Sequence, residues 1–155
     1  MSGRRTGYVL QPGEGERVRM LASEHQVLAG RRTDASFTLL SSTIPAGGGP
    51  PPHVHDDEDE LFYVLEGRLR VRCGDDEWVV GAGGCAYLPR GVIHQPRVEG
   101  EEPARVLVIT SRPGLEDFFG EVTAEVAASG RPPNLELMDR LGAPYGLRHF
   151  PPETG

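Results

Sequence analysis

The stretch ELFYVLEGRLRVRCGDDEWVV at residues 60–80 decides the fold class. Its centre, RLRVRC at 68–73, alternates strictly, with Leu69, Val71 and Cys73 on one side of an extended chain and Arg68, Arg70 and Arg72 on the other. A period of two belongs to a strand with one buried face. Gly67 breaks the apolar run at 60–65, and Gly74-Asp75-Asp76 offers a turn, so residues 77–80 return as the second arm of a hairpin. Working outward, HQVLAG at 25–30, ASFTLLSSTI at 35–44, CAYL at 85–88, HQPRV at 94–98 and RVLVIT at 105–110 are further short apolar runs. Gly- and Pro-rich punctuation separates them. Eight or more short antiparallel strands with no long helix between them predict an all-β domain, a closed barrel or jelly roll.

The tract PAGGGPPP at 45–52 reads as a loop inside that domain, because strands continue on both sides of it. The pattern changes after Pro113. Leu115, Phe118, Phe119, Val122 and Val126 form one stripe at helical spacing, which Gly130 ends. Pro133, Leu135, Met138 and Leu141 predict a second helix over 133–141. The expected organisation is a flexible terminus at 1–7, a barrel at 8–112, and C-terminal α-helices at 113–155 packed on the barrel.

Composition narrows the function classes. A chain of 155 residues fits one domain. The net charge of −7, with arginines scattered and no basic stripe, argues against a nucleic-acid partner. No apolar run nears the ~18 residues of a membrane span, and the opening MSGRRTGYVL lacks the apolar core of a signal peptide. The expectation is a cytoplasmic protein with no membrane partner and with Cys73 and Cys85 as reduced thiols. Cys85 reads as a small residue inside an apolar strand.

The residues that carry chemistry are His53, His55, Glu60 and His94. Two positions apart in extended chain, His53 and His55 project from one face. Glu60 opens an apolar strand, where an unpaired carboxylate is costly to bury. His94 follows a hairpin and the turn Pro89-Arg90-Gly91, a separation that can return its strand beside the first histidine pair. Three imidazoles and a carboxylate then converge, a mixed nitrogen and oxygen set that borderline divalent metals accept. Residues 56–59 (DDED) read as a solvated loop, and His25 and His149 as ordinary hydrogen-bonded histidines.

These motifs resemble those of the cupin superfamily. The first runs from Gly47 through His53-Val54-His55 and Glu60 to Gly67, and the second from Gly83 through Pro89-Arg90-Gly91 to His94. The spacings match throughout, apart from Val98, where the family often has Asn. The resemblance implies a cupin jelly-roll β-barrel, often a homodimer, with one divalent transition metal ion per chain (Fe, Mn, Ni, Co, Cu or Zn) held by His53, His55, Glu60 and His94. It also implies that Gly47, Gly67, Gly83, Gly91 and Pro89 shape turns.

The text around the motifs, PPPHVHDDEDELFYVLEG and PGLEDFFGEV, is similar to single-domain cupins related to the quercetin 2,3-dioxygenase group. That resemblance implies an oxygenase that brings O2 and a flavonol-like or other hydroxylated aromatic substrate together at the metal, with Glu60 as general base. Face parity with Glu60 puts Phe62 and Val64 on the substrate wall, and parity with His94 adds Pro96. Tyr87 is a candidate hydrogen-bond donor. Two alternatives stay open. One is a non-redox cyclase, isomerase or decarboxylase of a polyketide-type or enolic substrate. The other is a non-catalytic cupin that binds a small molecule.

Overall fold

The computed structural model describes residues 6–153. The first five residues of the expected flexible terminus therefore lie outside the described residues. Residues 8–16 carry no strand, and the first regular element begins at Arg17.

Ten strands precede the helices: β1 Arg17–Met20, β2 Ser23–Ala29, β3 Thr38–Ile44, β4 His53–His55, β5 Glu60–Glu66, β6 Arg68–Cys73, β7 Asp76–Gly81, β8 Cys85–Leu88, β9 His94–Val98 and β10 Ala104–Thr110. An eleventh, β11 at Leu147–His149, follows the helices. They form two antiparallel sheets, in the orders β1-β2-β3-β10-β5-β8 and β11-β4-β9-β6-β7. The alternation read at 68–73 is real: Leu69 and Val71 are buried and Arg68 and Arg72 exposed, with Arg72 opposite Glu77 across the hairpin. Leu40, Val64, Leu69, Val71 and Val106 form the driest part of the core between the sheets. Each such side chain contributes about 2 kcal/mol of transfer free energy. At Gly67, φ is +82°, and an added Cβ would lie 3.0 Å from backbone atoms of Pro103 and Ala104, so this turn accepts no side chain without moving β10.

The helices pack on β1, β3 and β11. Helix α1, Leu115–Ser129, buries Leu115, Phe118 and Val122 and packs against β1 and β3. Gly130 ends it in the left-handed conformation. Helix α2 spans Leu135–Gly142 and does not begin at Pro133, because the Asn134 side chain caps it by accepting from the Leu137 N–H at 2.8 Å. Two further boundaries differ from the sequence reading. Residues 35–37 stay outside β3, since the chain first makes a single 3₁₀ turn at Arg31–Thr33 and passes through a left-handed Asp34. The segment at 113–155 is not wholly helical, because β11 returns to the barrel and pairs with β4, placing His149 opposite His53. Cys85 is exposed and sits opposite Tyr63 on the outward face of β5, so it is no part of the apolar core.

Candidate metal centre

Strands of both sheets build one polar cluster in the apolar interior. In β4, His53, Val54 and His55 are all buried. Strand β9 opens with His94, which pairs directly opposite His53. Glu60 opens β5 in the facing sheet and is 3% exposed. Its Oε2 lies 2.9 Å from His94 Nε2, 3.2 Å from His55 Nε2 and 3.8 Å from His53 Nε2. One ligand atom from each of the four residues falls within 4.8 Å of all the others.

The outer nitrogens fix the tautomers. His53 Nδ1 donates to the Pro51 carbonyl at 2.9 Å, His94 Nδ1 to the Val92 carbonyl at 3.2 Å, and His55 Nδ1 to Glu58 Oε1 at 2.9 Å. Carbonyl and carboxylate oxygens only accept, so each Nδ1 carries the hydrogen. A neutral ring then turns the Nε2 lone pair inward. While all three rings are neutral, three such lone pairs meet a carboxylate oxygen, and four acceptors converge until a proton or a cation is supplied. His55 Nε2 is buried with no hydrogen-bond partner among the described residues.

Only positive charge satisfies this arrangement. Burial alone would push the Glu60 carboxyl up, but the surrounding imidazoles, His55 foremost, hold it well below the usual carboxylate range. Burial pulls His53 down to about 4. It opposes protonation of His55 as well, yet the Glu60 charge and the Glu58 hydrogen bond outweigh it and raise this ring to about 10. Neighbouring rings thus move in opposite directions: the Glu60 charge raises His55, the second carboxylate behind that ring adds to it, and the other two rings oppose protonation of His53. A divalent cation fits the same requirement, and the mixed imidazole and carboxylate donors suit a borderline transition metal. The group could hold a metal ion.

The acidic loop is not the solvated run that its charge suggests. Glu58 is 5% exposed and orients His55, the outer-shell role that a carboxylate behind a ligating imidazole performs. Asp59 binds Arg90 through both carboxylate oxygens at 3.1 Å and accepts the Arg90 N–H at 3.0 Å, which shapes the turn leading to His94. Asp56 pairs with Arg148, the central residue of β11. Only Asp57 and Asp56 are exposed.

Beside the cluster lies a cavity of ≈ 180 Å³ with His53, His55 and Glu60 in its wall and Ile44, Phe62, Phe118, Phe119 and Met138 among its apolar lining. His94 is not in this wall and lines a second cavity with Gln95 and Phe150. Of the four expected substrate contacts, only Phe62 reaches this wall. Val64 is buried two residues deeper along β5, in the packed core, and Pro96 is likewise buried beyond His94, opposite Val71. Tyr87 is 58% exposed, because the β5–β8 register sets Leu88 opposite Glu60 on the inward face and turns Tyr87 outward. Two histidines read as ordinary also line the cavity. His25 shares the inward face of β2 with Ser23 and Val27, a parity visible in SEHQVLA. His149 stacks on His53 with ring centroids 5.9 Å apart and donates from Nδ1 to Asp139 at 3.0 Å. No sequence pattern marks it, since β11 has only three residues.

Comparison with known proteins agrees with this geometry. Residues 40–110 match the model of the cupin domain family. Over 114 residues the chain is 32% identical to quercetin 2,3-dioxygenase of Bacillus subtilis, an alignment that covers 72% of this chain and 33% of that protein. The chain therefore spans about a third of that relative, and the relative's activity does not follow from the alignment. Among solved structures, KdgF from Halomonas sp. superposes with a TM-score of 0.63 at 18% identity, covering 72% of this chain and 98% of that one, a likeness of fold. The polyketide cyclase RemF from Streptomyces resistomycificus superposes with a TM-score of 0.58 at 25% identity, covering 68% and 79%.

Proposed function

Since the chain belongs to the cupin family, we propose that it is a metal-dependent enzyme, a dioxygenase acting on a hydroxylated aromatic or enolic small molecule. The observation that carries this reading is the convergence of four acceptor atoms, three of them in the wall of an apolar cavity. His53, His55, Glu60 and His94 hold one divalent transition metal ion, with Glu58 and the Pro51 and Val92 carbonyls fixing the rings. When bound, that ion supplies Lewis acidity at a substrate oxygen. The apolar walls exclude water and favour a flat, uncharged molecule. Glu60 is the one carboxylate among the described residues of the cavity wall, and it accepts the substrate hydroxyl proton at a carboxylate oxygen. Both atoms of O2 enter the organic product, so no external reductant is required. Identity with the Bacillus dioxygenase favours oxygen chemistry.

A second reading, a non-redox cyclase or isomerase that only holds an enolate, draws support from the likeness to RemF. Oxygen uptake separates the two. With metal-loaded protein and a panel of monocyclic and polycyclic phenols, the dioxygenase reading expects one O2 consumed per substrate. Turnover without O2 uptake would move the assignment to the second reading. The Glu60→Gln variant is expected to lose at least tenfold more turnover than metal occupancy. Activity that merely tracks occupancy removes the proton-accepting role.

A further inference from the structure

The cavity has a polar position that the metal group leaves unused. His25 is 6% exposed, lines the cavity and packs against Phe119 with ring centroids 4.5 Å apart. Its Nδ1 lies 2.7 Å from Ser42 Oγ. Its Nε2 is buried and has no hydrogen-bond partner among the described residues. A count of hydrogens fixes the tautomer. Were Nδ1 the donor, the Ser42 hydroxyl hydrogen and the Nε2 lone pair would both be left unpaired. With the hydroxyl donating to Nδ1, only the Nε2–H remains without a partner. The second arrangement leaves fewer orphans, so His25 offers a donor. Burial keeps the ring neutral by pulling it down to about 4. An orphaned buried donor in a ligand cavity calls for an acceptor.

Volume limits what brings that acceptor. At ≈ 180 Å³ the cavity is close to the ~150 Å³ apolar cavity that accepts benzene. It holds one ring with small substituents, whereas a flavonol carries three rings. We propose that His25 anchors a single-ring ligand by donating Nε2–H to a ligand oxygen, while further oxygens of that ligand face the group of His53, His55, Glu60 and His94. This deepens the reading above and rests on it, since it assumes that the same cavity receives the substrate.

The test uses kojic acid and allomaltol, two pyrones with the same vicinal hydroxyl and keto oxygens. Kojic acid carries one more oxygen, on its side-chain carbon. Titration calorimetry on the metal-loaded full chain is expected to show kojic acid bound about tenfold more tightly than allomaltol. In His25→Phe the two ligands should bind within twofold of each other, at unchanged metal content. In His25→Gln, which keeps an N–H donor, part of the preference should return. A wild-type protein that does not prefer kojic acid, or a His25→Phe protein that keeps the tenfold ratio, overturns the proposal. Should His25→Phe fail to fold, nitrogen NMR of wild-type histidines decides: the His25 Nε2 signal shifts with kojic acid and not with allomaltol, and equal responses overturn the proposal. Quercetin bound more tightly than kojic acid overturns the single-ring assignment. Metal content, measured on the same samples, judges the metal reading separately, because the ratio between the two ligands decides the role of His25 whatever that content is.

Discussion

Glu60 and Glu116 are equally buried, each 3% exposed, yet their surroundings make opposite demands. Glu116 sits in the first turn of α1 and meets donors. The Arg31 N–H reaches its Oε1 at 2.5 Å, while the Thr38 hydroxyl and the Gly114 N–H reach its Oε2 at 2.7 and 3.1 Å. The positive end of the helix adds to these. Gly30 leaves the room for this approach, since a Cβ there would stand 2.2 Å from Glu116 Oε1. That carboxylate is complete within the protein. Glu60 faces the lone pairs of three imidazoles and is completed only by a cation. Burial of a charge is therefore not itself a sign of function, and the count of donors against acceptors around it is what separates a structural joint from a binding site.

Substitutions distinguish the two carboxylates. Glu116→Ala removes the acceptor shared by the Arg31 N–H, the Thr38 hydroxyl and the Gly114 N–H, of which the last keeps Thr38 Oγ1 as a partner, and is expected to cost about 3 kcal/mol of stability in denaturant melts, with metal content unchanged. If metal content fell in step, the two regions would not be independent. Glu58→Gln weakens the orientation of His55 and should lower metal affinity by about 10–100-fold, read by competition with a chelator, with the fold retained. Unaltered affinity would make Glu58 a bystander.

The smallest effect concerns pH. Burial depresses His25 from 6.5 to about 4, so between those values the unfolded chain binds more protons than the folded one. Stability tied to this group is therefore present above pH 6.5 and is lost as pH falls toward 4. Between pH 6 and pH 5 the wild type should lose about 1 kcal/mol more than His25→Phe. Equal slopes in the two proteins would show that His25 is not buried neutral.

Where local pattern decides structure, the sequence was informative. RLRVRC, CAYL and HQPRV fixed strand bounds at 68–73, 85–88 and 94–98, because turn residues flank each and one face of each is apolar. The spacing of His53, His55, Glu60 and His94 anticipated a convergence that the two sheets then produce, since strand parity and the hairpin return are readable from the chain. Where tertiary register decides, legibility ended. Tyr87 faces out because of its pairing with Leu61, a register that no local pattern states. Val64 and Pro96 have the correct parity but lie at the wrong depth, and parity carries no depth. Glu58 hid within a run of acids whose charge suggested solvent. His149 reaches the cavity through a strand that follows two helices, a placement set by packing and not by period.

The whole functional assignment depends on metal binding by the converging acceptor atoms of His53, His55, Glu60 and His94. Elemental analysis of the purified wild type and of the His53→Ala, His94→Ala double variant, both shown folded by circular dichroism, tests it most directly. About one divalent transition metal ion per wild-type chain is expected and almost none in the double variant, since neither histidine belongs to the apolar core. Equal metal per chain in the two proteins would contradict it.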